Sequence, residues 1–352
     1  MGDVMKSIYD YRFDELEELM IYEGWKKFRA KQLYEWLYRK RVKTFDDMSS
    51  INKEMREYLN KNYMISPLQL VRKQEAKDGT CKYLFQLEDG AYVESVLMHF
   101  DYGKSVCVSS QVGCNMGCDF CASGLLKKNR DLTSGEMVSQ VMYVQQDLDS
   151  KEDRVSHIVV MGTGEPFDNY DNVMNFLHIV NHDLGLAIGA RHITISTCGI
   201  VPKIITFSHS HYQYNLAISL HAPNDELRNQ LMPVNKAYPL KELMKALDLY
   251  EKENSRRLTF EYILLKGLND QKEHARQLAK LLKGYNAYVN LIPYNAVDEH
   301  GYQGVAHAQA MEFYDQLMKL GVRATIRKEH GADIDAACGQ LRAKELKKEG
   351  KL

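Results

Sequence analysis

The sequence predicts an α/β protein built around a partial (β/α)6 barrel over residues 105–345. A small helical domain (residues 1–75) and a β-hairpin linker (76–104) precede it, and a basic tail (346–352) follows. Three observations carry this expectation. From Ser105 onward, short apolar runs alternate with segments of helical period, the pattern of parallel strands joined by helical crossovers. Before residue 75, apolar residues recur mainly at helical spacing. Cysteines, glycines and polar groups fall just beyond the strand-like runs, at the strand ends where barrels collect their active groups.

Taken in order, Phe13-Asp14-Glu15-Leu16-Glu17-Glu18-Leu19 begins an amphipathic helix, and Phe28 to Tyr38 carries apolar groups at helical spacing. The second segment is basic, with Lys26, Lys27, Arg29, Lys31, Arg39, Lys40, Arg41 and Lys43 interleaved with Tyr34, Trp36 and Tyr38. That mixture suits an RNA-binding face, and equally a solvated helix whose aromatics lie in the core. Tyr83–Leu87 and Ala91–Met98 flank Glu88-Asp89-Gly90, a hairpin signature. Glu94 sits inside its second strand, where a glutamate ordinarily points to water. The barrel strands are then read at Ser105–Ser110, His157–Met161, His192–Ser196, Leu216–Leu220, Leu258–Leu265, Tyr288–Ile292 and Arg323–Arg327. Helices are read from a capping-box start at Thr133, and through Val173–Val180, Leu240–Tyr250, Glu273–Leu282 and Ala308–Leu320.

Composition narrows the class. The 352 residues are 45% hydrophobic and 26% charged, the make-up of a globular protein. Lys plus Arg number 46 against 47 Asp plus Glu, so the net charge of −1 does not advertise nucleic-acid binding. No uncharged run reaches membrane-spanning length and no signal-peptide core is present, so a cytoplasmic protein with no membrane partner is expected. Seven cysteines, an odd number with three clustered, suit a reducing compartment. Nothing resembles a heptad seam, so a monomer is expected.

Those three clustered cysteines, Cys114, Cys118 and Cys121, follow the first barrel strand as C-x3-C-x2-C, with Gly117 allowing a tight curl. Soft thiolates at this spacing suit zinc or an iron–sulfur cluster. Structural zinc and ordinary clusters take four protein ligands. Three thiolates would leave one iron of a [4Fe–4S] cluster open. A zinc knuckle is the competing reading, with Cys107 as a possible fourth ligand. The next strand ends in Gly162-Thr163-Gly164-Glu165-Pro166, where glycines permit close backbone approach and Glu165 offers an acceptor for an ammonium group. Ser196, then Ser219-Leu220-His221, then Pro293-Tyr294-Asn295 end later strands. Several such groups at one rim describe a site. After the last strand comes Gly331-Ala332-Asp333-Ile334-Asp335-Ala336-Ala337-Cys338-Gly339-Gln340-Leu341. Its Cys338, flanked by small residues, is a candidate nucleophile, with Cys107 as its partner in a transient disulfide if the barrel partly closes. Cys81 and Cys198 have no role beyond small core residues.

Seven stretches together resemble the RlmN/Cfr family of radical-SAM RNA methyltransferases. They are Cys107–Cys121 (CVSSQVGCNMGCDFC), Met161–Pro166 (MGTGEP), Ile195–Gly199 (ISTCG), Ser219–Pro223 (SLHAP), Leu231–Pro233 (LMP), Asn290–Asn295 (NLIPYN) and Asp333–Leu341 (DIDAACGQL). The resemblance implies a radical-SAM barrel with an N-terminal RNA-binding accessory domain. It implies a [4Fe–4S] cluster on Cys114, Cys118 and Cys121. It also implies two molecules of S-adenosyl-L-methionine per turnover, contacted by Gly164, Glu165, Ser196, Ser219, Leu220, His221 and Asn295. One molecule would methylate Cys338. The other would yield a 5′-deoxyadenosyl radical that takes hydrogen from that methyl group. The resulting carbon radical would add to an adenine ring carbon, Glu94 would remove the ring proton, and Cys107 would release the product by forming a disulfide with Cys338.

Within the family, Gly164–Asn169 (GEPFDN) and Ile292–Tyr294 (IPY) are more similar to the RlmN branch. That branch implies formation of 2-methyladenosine in 23S rRNA and in tRNA beside the anticodon, with flavodoxin or ferredoxin as electron donor. The Cfr branch would methylate carbon 8 of the rRNA adenosine. A third possibility, of another class, is an RNA- or ribosome-binding protein whose metal is purely structural.

Overall fold

The computed structural model describes residues 5–125, 127–296, 300–328, 330–331, 333–335, 339–348 and 350. Its centre is one ten-stranded sheet. The strands are β1 (Leu68–Glu75), β2 (Cys81–Leu87), β3 (Tyr92–Phe100), β4 (Gly103–Cys107), β5 (Val155–Val160), β6 (Ile193–Thr197), β7 (Asn215–Ser219), β8 (Leu258–Leu264), β9 (Ala287–Pro293) and β10 (Ala324–Ile326). They lie side by side in chain order. β1 to β4 pair antiparallel and β4 to β10 parallel. The seven parallel strands match the seven apolar runs of the sequence.

The main helices are α1 (Phe13–Tyr22), α2 (Arg29–Tyr34), α3 (Lys53–Asn62), α4 (Ser134–Asp149), α5 (Tyr170–Asn181), α6 (Val201–His209), α7 (Asp225–Leu231), α8 (Val234–Ala237), α9 (Leu240–Glu253), α10 (Lys272–Leu281), α11 (His307–Lys319) and α12 (Gln340–Lys348). α4 starts at the capping box read from sequence. Thr133 Oγ1 accepts the Glu136 N–H at 3.2 Å, and Glu136 Oε2 accepts the Thr133 N–H at 2.9 Å. No helix among the described residues is long and apolar enough to cross a membrane.

Leu68–Glu75, expected within the helical segment, is instead strand β1. Its alternating Leu68-Gln69-Leu70-Val71-Arg72 half-buries one face as the outer strand of the sheet, so period two overrides the helical reading. α6, which crosses from β6 to β7, also went unread. Its Ile204 and Phe207 are buried, with the exposed Ile205 and Thr206 between them.

The helical segment docks along α4. Asp10 Oδ1 accepts the Gly135 N–H at 2.6 Å, placing an anion at the positive end of that helix. Arg41 grips Asp149 at the other end through two bonds of 2.5 and 2.8 Å. Tyr34, Trp36 and Tyr38 are buried, and Trp36 Nε1 donates to Ser50 Oγ at 2.8 Å. The aromatic half of the expected RNA face is therefore core, because rings repeating at helical spacing fill the space behind the helix. Lys26, Lys27, Lys31, Arg39, Lys40 and Lys43 remain exposed.

Candidate active site

The ends of β5 to β9 and the three-cysteine loop enclose a cavity of about 260 Å³. Cys114, Cys118, Cys121, Gly164, Glu165, Ser196, Ser219 and His221 all line it. Eight sequence-read residues thus converge on one space. Leu220 is buried in the core beside it, and Asn295 is exposed beyond the end of β9, outside the cavity lining.

Main-chain bonds fold the cysteine loop. Gly117 adopts a left-handed φ of +65°, and the Cys121 N–H reaches the Cys118 carbonyl at 3.1 Å. The loop is fastened outward by the Asp119 N–H to the Leu231 carbonyl (2.9 Å) and by the Tyr294 hydroxyl to the Phe120 carbonyl (3.2 Å). All three thiols are unbridged and face the cavity beside Met116 and Phe120. Among the described residues, no three such donors already form a metal-holding group. The donor chemistry nonetheless fits an iron–sulfur cluster: three soft ligands on one apolar wall. Burial pushes the Cys114 thiol up to about 11, with Cys121, Glu165 and Asp168 adding to the rise. Burial raises Cys118 further, with Cys121 and Cys114 as neighbours. Such thiols give up their protons when a cation arrives to compensate the charge.

The glycine turn makes a close approach to the chain itself. A Cβ on Gly162 would lie 2.7 Å from the Ser109 amide nitrogen, and one on Gly164 would lie 2.7 Å from Gln111 Cβ and Ser110 Oγ. These glycines let the β5 exit press against the β4 exit, and both also line the cavity. That contact sets Glu165, whose N–H donates to Gln111 Oε1 at 2.9 Å. Its Oε1 accepts the Phe167 N–H at 2.9 Å and its Oε2 the Cys198 N–H at 2.8 Å. Burial raises its pKa, and the N–H donors of Cys198 and Phe167 oppose that rise. A buried carboxylate with spare lone pairs is a receptor for a cationic group.

His221 adopts a left-handed φ of +57° and is buried, its ring edge-on to Phe120 at 4.9 Å. Its Nδ1 accepts the Ile263 N–H at 3.1 Å. Burial, helped by Arg228, pushes its pKa down to about 3. The ring is therefore neutral near pH 7 and offers Nε2–H as a donor. Ser196 Oγ and Ser219 Oγ share a 3.2 Å hydrogen bond on the same floor.

Three residues escaped the sequence reading. Arg228 is fully buried and ties the β6 and β7 ends together, donating to Cys198 O (2.6 Å), Leu220 O (3.2 Å) and Asn235 Oδ1 (2.8 Å). Glu261 and Arg327 line the cavity. Glu261 is buried, with Oε1 accepting from Asn290 Nδ2 at 2.9 Å; burial raises its pKa and Arg327 opposes the rise. A charge inside the apolar run Leu258–Leu265 was the available signal.

Glu94 overturns its ordinary reading: it is 4% exposed and pairs with the fully buried Lys82 at 3.0 Å. Its carboxylate also accepts main-chain N–H groups from Gly339 (2.7 Å) and Arg342 (2.5 Å). Cys107 is buried among Val96, Met98, Val159 and the cavity residue Met161. Cys338 lies outside the described residues, but Gly339 beside it packs on Ser123, another cavity residue.

Comparison with known proteins agrees with this geometry. Residues 108–279 match the model of the radical SAM superfamily, and residues 6–65 match the ribosomal RNA large subunit methyltransferase N-terminal domain. A probable dual-specificity RNA methyltransferase RlmN of Listeria welshimeri is 57% identical, over 98% of this chain and 95% of that protein. One of Enterococcus faecalis, also described as probable, is 56% identical over 98% of each. The crystal structure of a radical SAM methyltransferase from Sphaerobacter thermophilus superposes with a TM-score of 0.92 at 41% identity, covering 95% of this chain and 98% of that one. Identity of this depth across both domains establishes that the chain belongs to the RlmN family of radical-SAM methyltransferases.

Proposed function

We propose that this protein is a cytoplasmic enzyme that methylates carbon 2 of adenosine in 23S rRNA and in tRNA, consuming two molecules of S-adenosyl-L-methionine per turnover. The observation that supports the reading is that the cysteine loop and the Glu165–His221 pair share one cavity, and that Gly339, next to Cys338 in sequence, packs on the cavity residue Ser123 and donates to Glu94. The choice of carbon 2 and of both RNA classes rests on the relatives' dual-specificity description and the GEPFDN and IPY stretches.

A [4Fe–4S] cluster on Cys114, Cys118 and Cys121 would supply reducing power and an open iron for the methyl donor, fed by a flavodoxin or ferredoxin. The chain's own residues do the rest. Glu165, aimed by the Phe167 and Cys198 amides, receives the donor's ammonium group. Neutral His221 and the Ser196–Ser219 pair offer hydrogen bonds to its polar atoms. Phe120 and Met116 keep water from that wall. Cys338 carries the methyl group to the base, Glu94 takes the ring proton, and Cys107 closes a disulfide on Cys338 to free the RNA.

The test is nucleoside mass spectrometry of 23S rRNA and tRNA from cells lacking the gene and cells with it restored. Loss of 2-methyladenosine on deletion, and its return with the intact gene, is expected. A change in 8-methyladenosine instead would assign carbon 8, and no change in either would overturn the substrate assignment.

A further inference from the structure

We propose that Lys82 is a positioning residue for this reaction: together with Glu94 it clamps both flanks of Cys338, and the clamp holds only while Glu94 is an anion. The proposal rests on the roles assigned above to Glu94 and Cys338.

The geometry is that of a two-sided grip. Lys82, on β2 and fully buried, sits 3.0 Å from Glu94 Oε2 and donates to the Asp335 carbonyl at 2.6 Å, three residues before Cys338. Glu94, diagonal to it on the neighbouring strand β3 (Lys82 itself pairs with Val96), accepts the Gly339 N–H one residue after Cys338, and the Arg342 N–H three residues further. Arg342 lies in the first turn of α12 and Gly339 immediately precedes it, where N–H groups have no partner within the helix. The carboxylate therefore serves as an external cap and as an anion at the positive helix end.

The charges around the pair make this grip conditional. Arg342 is buried, its guanidinium charge is opposed by burial and favoured by the Glu94 carboxylate, and its Nε and Nη1 have no hydrogen-bond partner among the described residues. Asp335 spends its carboxylate on Lys344 and Gln74. A proton on Glu94 would leave the buried Lys82 and Arg342 without that anion in a desolvated space, an arrangement that opens rather than persists. The outer part of the segment is fastened otherwise, by Asp78 to the Gly331 N–H and by Asp333 to the Lys77 N–H. The loosening is thus confined to the Cys338 side. If Glu94 takes the proton of the adenine ring, that same event loosens residues 339–342, which follow Cys338 in the chain.

The test is hydrogen–deuterium exchange of the full chain, without RNA or added cofactor, in the wild type, Lys82→Met, Glu94→Gln and the double variant. Residues 339–342 are expected to exchange roughly tenfold to a hundredfold faster in each single variant, while β8 and β9 keep wild-type protection. The double variant should loosen no further than the singles, since one clamp is broken either way. Wild-type exchange at 339–342 in both singles, or additive loosening in the double, would overturn the proposal. In the reconstituted enzyme, Lys82→Met should lower kcat with little change in KM for RNA; an altered KM with unaltered kcat would also overturn it. The two readings fail separately. An inactive wild type with a loosened variant segment sinks the function, and an active enzyme with an unresponsive segment sinks the clamp.

Discussion

Gly164→Ala tests whether the glycine turn exists to bring two strand exits together. Gly164 has φ +114°, which costs a side-chain-bearing residue roughly 1–3 kcal/mol. Its new Cβ would also sit 2.7 Å from Gln111 Cβ and Ser110 Oγ and 2.8 Å from the Gln111 nitrogen. Relieving that overlap means moving the β4 exit, at about 1–3 kcal/mol more. Lower entropy of the unfolded chain returns roughly 0.4–1 kcal/mol. The net loss is about 3 kcal/mol, or roughly 6–12 °C in melting temperature for a domain somewhat smaller than this chain. Gly24→Ala is the control. It shares a positive φ of +79° but meets nothing within 4 Å, so it carries the backbone strain without the overlap. Calorimetry of both variants should show Gly164→Ala melting several degrees below Gly24→Ala. Equal melting temperatures would refute the close-approach argument, and Glu165 would then owe its position to something else.

Glu261 should give the cavity a pH signature. Burial raises its pKa, so the protonated form contributes stability in full below the ordinary carboxylate range, and that contribution is lost as pH rises through the folded value. Glu261→Gln, which cannot ionise and keeps an oxygen for Asn290, should match the wild type in urea at pH 4 and exceed it at pH 8; a variant less stable at pH 8 would contradict this. On the accessory domain, neutralising exposed Lys26 and Lys31 together should lower the slope of log affinity against log salt for RNA by roughly 1.5. Tyr38→Phe, altering a ring in the core, should leave RNA affinity unchanged; filter binding over a salt series reads both.

The fold was legible where periodicity was strong. An apolar run such as Leu216–Leu220 buries itself on both faces in a covered parallel sheet, and the capping box at Thr133 marked a helix start. β1 hid because its alternation is shallow and its exposed positions, Gln69, Val71 and Glu75, mix polar, apolar and charged residues. The site was legible through residue types that are unusual together. Cys114, Cys118, Cys121, Glu165 and His221 were found because thiols, a buried acid and a histidine at strand ends invite a chemical reading. Two kinds of information were missing. Gly162 and Gly164 face the chain's own backbone, which only three-dimensional packing reveals. Arg228, Glu261 and Lys82 act through partners distant in sequence, such as Cys198, Asn290 and Asp335, and of the three only Glu261 carries a local mark, a charge inside an apolar run.

The most direct measurement is mass spectrometry of the Cys338 peptide from reconstituted enzyme given S-adenosyl-L-methionine with a deuterated methyl group, then RNA. A labelled methyl on Cys338 that disappears as labelled 2-methyladenosine appears in the RNA is the predicted result, with Cys338→Ala giving neither. RNA methylated by an enzyme whose Cys338 never carries the label would contradict it.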